Sequence, residues 1–578
     1  MGLLVPRILS SRLYQTSTSP CDRTLILVLS PSSFAVSPPC HQMLLSIIQY
    51  GFLLWISYVF WNALRRLWGG SILDNIPGPP SESVLAGNLA RLNGADSWDF
   101  HKTLEEDFNA VVKIHGLLGD VQLYVFDPAA LHSILVKDQD LYEESIIFLS
   151  LTGLLFGKGI LSTTGNEHRR HRKIMMPAFS TKNLRGMLPV LYEVAHRNFG
   201  QLRDGLIKPH LELNAGPQEL DMYSILSRTS LEFIGRAGIG YSFDPLTTGE
   251  DPIDQYTQSL KNLTPAIHKL AVFLPIVPLA SKIGPPSFRR FMLSLIPSKT
   301  LGILCKIVAI MDSKATALVR DKNQTIRHGD ADAMENSNDV VSLLLKSNST
   351  ADENMKFMDD ELVAQTSMII HAGTETTSSA LNRIIHVLAL HPDVQTKLRA
   401  EIMETKEILS HDELVALPYL DAVIRETLRL YPPITAMTRS VTQDCILPLS
   451  TPITGIDGRT MDAIAVPKGT ERPTTIRTSG GEDALEFNPE RWRNGQARGV
   501  TVRMSGVYGN MMTFVGGGRS CIGFKFVQLE LKVVLSVLLR CYHFSVASDA
   551  IRWKMGSPAA PSVDNRPLLP IVVDRVKA

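Results

Sequence analysis

The sequence contains little cysteine and no excess of either charge. Its six cysteines among 578 residues show no paired spacing, which excludes a disulfide framework and suits a reducing compartment. The 58 Lys and Arg residues balance 57 Asp and Glu residues, so the charge balance gives no indication of nucleic-acid binding. With 44% hydrophobic and 20% charged residues, the chain has the composition of a globular protein.

Residues 1–42 are poor in acids and rich in Ser, Pro and Thr. Together with three arginines, this composition is typical of a mitochondrial presequence. The segment could equally be an artefact of a predicted gene start, because Met43 opens a self-sufficient anchor. We favour the second interpretation and assign the leader no role.

Residues 43–62 form an apolar run that contains Trp55 and Trp61 and is followed by Arg65 and Arg66. About 20 apolar residues span a bilayer, aromatic residues prefer its interface, and adjacent arginines favour the cytosolic side. No small-residue cleavage site follows, so a cleaved signal peptide is disfavoured. The sequence predicts a single transmembrane anchor, a basic and proline-rich hinge at 63–80, and a cytosolic remainder.

Most segments beyond the hinge favour helices that are interrupted by Pro and Gly. The alternating stretches Val111 to His115 and Val121 to Phe126 predict a β-hairpin. The polar, acid-containing stretch from His328 to Asn354 is predicted to be a solvated loop.

The stretch from Phe514 to Gly523 reads Phe-Val-Gly-Gly-Gly-Arg-Ser-Cys-Ile-Gly. Three consecutive glycines allow such a loop to lie flat against a planar ligand. Cys521 precedes an apolar helix, Phe524 to Leu539, whose positive N-terminus favours a thiolate. A thiolate in a dry pocket beside Arg519 could ligate an iron porphyrin, with the arginine on a propionate. A phosphate-binding loop would require Gly-Lys-Ser or Gly-Lys-Thr, and this stretch contains neither.

This order of residues resembles the cysteine-ligand loop of the cytochrome P450 family, the haem-thiolate monooxygenases. Every position of the family pattern is filled, by Phe514, Gly517, Arg519, Cys521 and Gly523. The resemblance implies a heme b cofactor whose iron is ligated by the thiolate of Cys521, with Phe514, Gly517 and Arg519 at the cofactor-binding site.

A dense cationic segment runs from Gly165 to Lys173. Alone it would be an ordinary solvated helix face. It resembles the family segment Trp-x-x-x-Arg, in which the arginine binds a haem propionate; here Arg172 fills that position and His168 replaces the tryptophan. The other basic residues, with Lys525 and Lys532, are expected to attract an acidic electron donor.

A helix of about thirty residues is predicted from Glu361 to the residue before His391, capped by Asp359 or Asp360. It contains Ala-Gly-Thr-Glu-Thr-Thr, whose Gly and three Thr are poor helix formers and are expected to open the helix locally. The hexapeptide resembles the family's oxygen-activation motif. The resemblance implies catalytic roles in proton delivery for Thr376 and Glu375.

Glu426 and Arg429 lie three residues apart on a predicted helix between Pro418 and Pro432, and alone they would be an ordinary ion pair. The segment Phe487 to Trp492 resembles the family's partner segment, which implies that Arg491 completes a buried structural network with them. Arg439 is a further candidate for a propionate.

One stretch departs from the family pattern. Between Thr470 and Gly480 the family has a β-strand and a short helical segment, but residues 471–479 show no apolar alternation. We therefore expect a strand and a helical turn to be missing, either through an error in the gene sequence or through loss of part of a sheet.

The resemblance extends over residues 43–578 and implies a mainly α-helical protein with a small β-rich subdomain. The expected architecture is a cytochrome P450 fold at 81–578, preceded by an N-terminal transmembrane helix and tethered to the endoplasmic reticulum. The implied reaction inserts one atom of O2 into an apolar small molecule, with electrons from an NADPH-dependent flavoprotein reductase. The motifs most resemble fungal enzymes of secondary metabolism or xenobiotic oxidation.

The distal pocket is expected to be lined by apolar side chains from Ile369, Ile370, Ala372, Pro433 to Met437 and Ile146 to Leu161. Two other functions stay open. One is a reductase-independent haem-thiolate isomerase, dehydratase or peroxygenase; the other is a catalytically impaired haem-binding or haem-free membrane protein, suggested by the short connection at 471–479.

Overall fold

The structure is a computed structural model that describes residues 71–108, 110–199, 207, 216–244, 246, 255–327, 338–352, 355–475, 484–493, 506–509 and 511–576, together with Ser57 and Trp61. The predicted leader at 1–42 lies outside these residues, as does nearly all of the predicted anchor at 43–62. From residue 69 onward the described chain forms one compact unit.

Helices make up most of the described chain, as the sequence predicts. In chain order they are α1 Leu89–Leu92, α2 Trp98–Phe108, α3 Pro128–His132, α4 Ile146–Phe156, α5 Gly165–Met175, α6 Thr181–Phe199, α7 Met222–Phe233, α8 Gln255–Lys269, α9 Val277–Ala280, α10 Pro286–Ser294, α11 Lys299–Arg327, α12 Val340–Thr350, α13 Asp359–Leu390, α14 Pro392–Met403, α15 His411–Val415, α16 Pro418–Leu430 and α17 Phe524–Cys541.

The strands are short. They are β1 Val111–His115, β2 Val121–Val125, β3 Tyr142–Glu144, β4 Gln218–Asp221, β5 Ala436–Val441, β6 Cys445–Thr454, β7 Thr460–Val466, β8 Glu471–Thr475, β9 Gly506–Tyr508, β10 Met511–Gly516, β11 Tyr542–Val546, β12 Arg552–Lys554, β13 Ala560–Val563, β14 Arg566–Pro567 and β15 Pro570–Arg575.

The largest sheet has five strands in the order β1-β2-β8-β5-β3. The predicted hairpin of β1 and β2 is confirmed, with Val111 opposite Val125. The Pro-Gly-Pro-Pro segment before it packs on β1, because Lys113 N donates to Pro77 O at 2.9 Å. A side chain on Gly78 would lie 2.0 Å from Lys113 O, so this close approach requires glycine.

The expected loss of a strand at 471–479 is wrong. Strand β8 pairs antiparallel with β5 and parallel with β2, where Val125 lies opposite Thr474. A strand with a neighbour on each side is held by backbone hydrogen bonds, so it can form without apolar alternation. The helical turn that was also expected to be missing falls on residues 476–483, which lie outside the described chain.

The prediction of a loop from His328 to Asn354 is also wrong for part of its length. Helix α12 buries Val340, Val341, Leu344 and Leu345, which recur at helical spacing on one face. Asp339 caps this helix by accepting a hydrogen bond from Ser342 N at 2.9 Å. The polar residues nearby obscured a short amphipathic pattern.

Helix α13 spans 32 residues through the core and packs against α7. It ends at Leu390, as predicted, but it begins at Asp359 and is not capped by Asp359 or Asp360. Instead, the Glu361 carboxylate accepts a hydrogen bond from Met358 N at 3.0 Å. The acid three residues into the helix therefore satisfies the first free N–H group.

Candidate active site

The cysteine loop connects β10 to α17. Cys521 N donates to Phe514 O at 2.9 Å, which closes the loop onto the end of its strand. Gly517 has φ +67°, and a side chain there would lie 2.0 Å from Leu135 O. Glycine is therefore required at this position both by backbone conformation and by space.

The Cys521 side chain is exposed, yet burial is the main influence on its thiol. These two facts together place it on the wall of an internal cavity. Burial raises the pKa of the thiol, while the Gly523 N–H group and the Arg172 guanidinium act in the opposite direction. The Gly523 N–H group at the start of α17 therefore acts in favour of a thiolate, as expected, and a bound iron cation would stabilise the thiolate further.

Arg172 on α5 is directed at the cysteine loop. Its guanidinium donates to Ser520 O at 2.7 Å and to Ser520 Oγ at 2.9 Å. Arg519 lies nearby and is paired with Glu143 at 3.1 Å. Arg172 and Arg519 line the same cavity of about 490 Å³, so the structure brings together two of the predicted propionate-binding cations.

His168 lines this cavity as well and is 7% exposed. Burial, followed by the charges of Arg519 and Arg172, lowers the pKa of His168 to about 3. The imidazole is therefore neutral at physiological pH. A neutral imidazole retains one N–H donor, the group that the tryptophan of the family segment would supply.

Arg439 lies close enough to this cluster of cations for the charge of Arg519 to act on it. It is 1% exposed and forms an ion pair with Glu144 at 2.5 Å between strands β5 and β3. Burial raises the pKa of Glu144, and the Arg439 charge opposes that shift. Arg439 therefore has a carboxylate partner, as Arg519 does, and its contact with a propionate stays a prediction.

The oxygen-activation motif is the accessible part of α13. Residues 364–370 and 377–389 are buried, whereas Ala372 is exposed and His371, Glu375 and Thr376 are partly exposed. Positions i, i+1, i+4 and i+5 share one helix face, so these four side chains form a single stripe, which we call the α13 stripe. In the middle of a buried helix, such a stripe lies on an internal cavity.

The predicted opening of α13 at this motif is wrong, because the helix is continuous from Asp359 to Leu390. The Thr376 hydroxyl donates to Ala372 O at 2.7 Å, and the Thr374 hydroxyl donates to Ile370 O at 2.7 Å. Each hydroxyl adds a bond to a carbonyl that can accept more than one, so the helix does not need to break. The oxygen lone pairs of Thr376 remain available to the cavity.

Glu375 is poised to exchange protons near neutral pH. Burial raises the pKa of its carboxyl to about 7, and the charge of Lys261 opposes the rise. The negative charge of Glu375 contributes in turn to the raised pKa of Tyr223, for which burial is the larger cause. A carboxyl with such a pKa is present in both protonation states at physiological pH.

The residues predicted for the structural network meet as expected. Arg429 donates to Glu426 through Nε at 2.8 Å and through a second nitrogen at 2.9 Å, and Arg491 Nε lies 3.4 Å away from the same carboxylate. Trp492 Nε1 adds a bond at 2.8 Å, and Asn488 N adds another at 3.0 Å. One buried carboxylate thus holds α16 to the segment that precedes the cysteine loop.

The basic surface is smaller than the sequence suggests. Lys173 and Lys525 are exposed, and Arg169 is exposed but pairs with Asp140 at 2.6 Å. The expectation of a surface role for Lys532 is wrong, because this residue is 0% exposed and pairs with Asp421 at 3.0 Å. Lys532 is buried because it lies on the side of α17 that faces the core, whereas Lys525 lies on the exposed side.

The sequence analysis did not identify two residues of the site. One is Ser520, which accepts hydrogen bonds from Arg172, and the other is His371 in the α13 stripe. Ser520 carried no signal, because any residue supplies the carbonyl that Arg172 also contacts. His371 did carry one: it is an isolated imidazole between the apolar pair Ile369-Ile370 and Ala372.

The family profile of cytochrome P450 matches residues 77–562. This chain belongs to the cytochrome P450 family. Cytochrome P450 monooxygenase 91 of Postia placenta is 43% identical over 92% of this chain and 100% of its own length. A ganoderic acid synthetase of Ganoderma lucidum is 38% identical over 90% of this chain and 97% of its own.

The P450 family is haem-thiolate, and the residues present fit heme b. Cys521 on a cavity wall supplies the soft anionic ligand that iron accepts. Arg172 and Arg519 supply cations for carboxylates. The chain is therefore a cytochrome P450 monooxygenase, an oxidoreductase that uses O2 and electrons delivered by a redox partner.

Proposed function

We propose that this P450 monooxygenase inserts one oxygen atom into an apolar small molecule, in secondary metabolism or in xenobiotic oxidation. The observation that carries the proposal is the α13 stripe, in which an exposed Ala372 lies beside Thr376 and Glu375 on an internal cavity. The name of the Ganoderma lucidum relative supports a biosynthetic role on a small organic molecule.

The protein's own groups have separate tasks. Bound haem would supply the redox chemistry by which one atom of dioxygen enters the substrate and the other leaves as water, at the cost of two electrons from the redox partner and two protons. Cys521 would hold the iron, and the guanidinium groups of Arg172 and Arg519 would bind the carboxylates of the porphyrin. Thr376 presents a hydroxyl to the cavity, and Glu375, with a pKa of about 7, supplies and recovers protons.

We further propose an NADPH-dependent flavoprotein reductase as the electron donor and the endoplasmic reticulum membrane as the location, with a single anchor at 43–62. The exposed cations Lys173 and Lys525 support an acidic donor. Among the described residues, no single helix is long and apolar enough to cross a membrane.

A second region supports contact with a membrane. Residues 255–311 contain seven Lys and Arg residues and no acid. Large apolar side chains in the same stretch are exposed, namely Phe273, Leu279, Ile283, Phe291 and Leu295. Basic residues among exposed apolar ones favour the interface of an anionic bilayer.

The test is an absorption spectrum of the reduced, carbon-monoxide-bound full-length protein in membranes. We expect the red-shifted Soret band of thiolate-ligated iron. It should vanish in Cys521→Ala and persist in Cys541→Ala, because Cys541 is another free cysteine at the far end of α17. Absence of the band, with folded protein present, would contradict the proposed function.

The alternative of an impaired enzyme loses its main support, because β8 occupies the stretch that was expected to lack a strand. The alternative of a reductase-independent isomerase, dehydratase or peroxygenase is tested by turnover. The proposal requires NADPH and a reductase, and product formed without either would favour the alternative.

A further inference from the structure

The α13 stripe contains one polar ring at its N-terminal end, His371, which has no assigned role. Its side chain is partly exposed, although α13 is buried on both sides of the stripe. It packs against the ring of Phe156 at the end of α4, with ring centroids 5.0 Å apart. His371 therefore lies on the wall of the same cavity as Ala372 and Thr376.

The imidazole of His371 has no hydrogen-bond partner within the part of the chain that the structure describes. Its Nδ1 atom is buried and unpaired, whereas Nε2 is not among the fully buried unpaired atoms. Buried polar atoms in native proteins nearly always have a partner, and an exception calls for a water or ligand. The exposure of the ring is thus consistent with Nε2 facing the cavity.

The surroundings of this ring keep it neutral. Burial lowers the pKa of His371 to about 4, and no charged neighbour contributes to the shift. A neutral imidazole carries one N–H donor and one bare acceptor nitrogen. An orphaned buried N–H group is rarer than an orphaned acceptor, so the proton is better placed on Nε2 than on the buried Nδ1. Nε2 then offers a donor to a molecule in the cavity.

We infer that His371 is a specificity-determining residue whose Nε2–H group binds an oxygen atom of the substrate, so that the preferred substrates are apolar molecules bearing a carbonyl or hydroxyl oxygen. This inference rests on the proposed function. Among the other members of the stripe, Ala372 offers no polar side chain, the Thr376 hydroxyl donates to Ala372 O, and Glu375 is assigned to proton delivery. A further donor at a fixed position on the cavity wall would orient a guest through a single bond.

The inference is tested by titrating the haem-bound full-length protein with three hydrocarbons and their matching ketones: decalin and 2-decalone, adamantane and 2-adamantanone, 5α-androstane and 5α-androstan-3-one. The shift of the ferric Soret band gives a Kd for each probe. The readout is the ratio of the ketone Kd to the hydrocarbon Kd in natural protein and in His371→Phe. Comparing the two ratios cancels the hydration of the ketone, which is common to both proteins.

We expect His371→Phe to lower the relative preference for the best ketone by roughly tenfold, the effect of one lost hydrogen bond in a dry site. Phenylalanine keeps the ring contact with Phe156 and removes only the nitrogens. His371→Asn, which restores a donor, should recover part of the preference. Thr366→Val, a buried change five residues earlier on α13, should leave the ratio unchanged.

Three results would overturn the inference. One is an equal ratio in natural protein and in His371→Phe; another is that no ketone shifts the Soret band at its solubility limit. The third is a probe-free ferric spectrum of natural protein that shows a nitrogen-ligated low-spin iron and loses this signature in His371→Phe, since this would make His371 an iron ligand. The carbon-monoxide spectrum of each variant separates these outcomes from failure of the proposed function, which would remove the thiolate band from the natural protein as well.

Discussion

Two buried glutamates have pKa values that are shifted in opposite directions, because one has hydrogen-bond partners and the other has none within reach among the described residues. Glu426 and Glu530 are both 0% exposed. Burial acts to raise the pKa of Glu426, but Arg429, Asn488 and Trp492 outweigh it and hold the pKa below its ordinary value. Glu530 lies near Ser230, but neither of its oxygens has a partner within hydrogen-bond distance, and burial raises its pKa well above the ordinary value.

Replacement of Glu530 by Gln should stabilise the protein increasingly as the pH rises. A raised folded pKa means that this side chain favours folding below its unfolded pKa of about 4.3 and that the advantage is lost above it, at about 1.4 kcal/mol per pH unit until the folded pKa is reached. Glutamine is neutral throughout. The melting temperature of Glu530→Gln minus that of natural protein should rise from pH 5 to pH 8, and a constant difference would contradict this.

Replacement of Glu426 by Gln should destabilise the protein strongly at neutral pH. The change leaves buried guanidinium groups without their carboxylate, which typically costs about 3–5 kcal/mol. Because the folded pKa of Glu426 is depressed, the loss should shrink as the pH falls below about 4. Thermal unfolding of the haem-bound protein measures both effects.

A matched control is Glu193→Gln. Glu193 pairs with Arg236 and Arg197 at the surface, and its side chain is 47% exposed. Exposed ion pairs contribute about 1 kcal/mol or less. Equal losses in the two variants would contradict the structural role of the Glu426 network.

At the scale of elements, β8 is the strand that the sequence hides best. Its backbone joins β2 to β5, and Thr474 lies opposite both Val125 and Met437. It connects the N-terminal hairpin to strand β5, which carries Arg439. Its role depends on backbone pairing and so leaves little trace in side-chain pattern.

Thr474→Pro should therefore destabilise the sheet by about 1–3 kcal/mol, because Pro473 already lacks an N–H group and a second proline would remove the next one from the same strand. Thr474→Val keeps the N–H group and the branched side chain and should be nearly neutral. The two melting temperatures are compared in haem-bound protein. A similar melting temperature for both variants would mean that β8 does not bridge the sheet.

The sequence could predict the elements that have a local side-chain pattern, but not those that depend on pairing between distant segments. Local signals sufficed for the hairpin β1–β2, for the end of α13 and for the Glu426 network, because each has a pattern of polarity, breakers or motif spacing. Contacts over long sequence separation were inaccessible. The pairing of Arg439 with Glu144 and the burial of Lys532 depend on which strand or helix lies opposite, and no local pattern records that.

At the scale of the whole molecule, two regions support a membrane location independently: the apolar run at 43–62 and the acid-free stretch 255–311. Removal of residues 1–68 should abolish resistance to alkaline extraction while leaving binding to vesicles of anionic lipid. Salt should weaken this residual binding, because it screens Lys282 and Arg289.

Flotation with anionic and with neutral vesicles measures the residual binding. Lys282→Glu with Arg289→Glu and Arg290→Glu should remove it from the shortened protein, and the full-length protein with the same changes should stay in the membrane fraction. Residual binding that is equal on neutral vesicles would contradict the contribution of charge.

The order of strands in the five-stranded sheet also constrains when the sheet can form during translation. Its hairpin ends at Val125, whereas the strand that completes it begins at Glu471. A ribosome releases the chain from its N-terminus at about 5–20 residues per second, so β2 presents an open edge for tens of seconds before its neighbour exists. Cys521 emerges later still. Haem can therefore bind only late in the synthesis of this enzyme. Until β8 pairs with β2, the open edge of the hairpin is prone to aggregation.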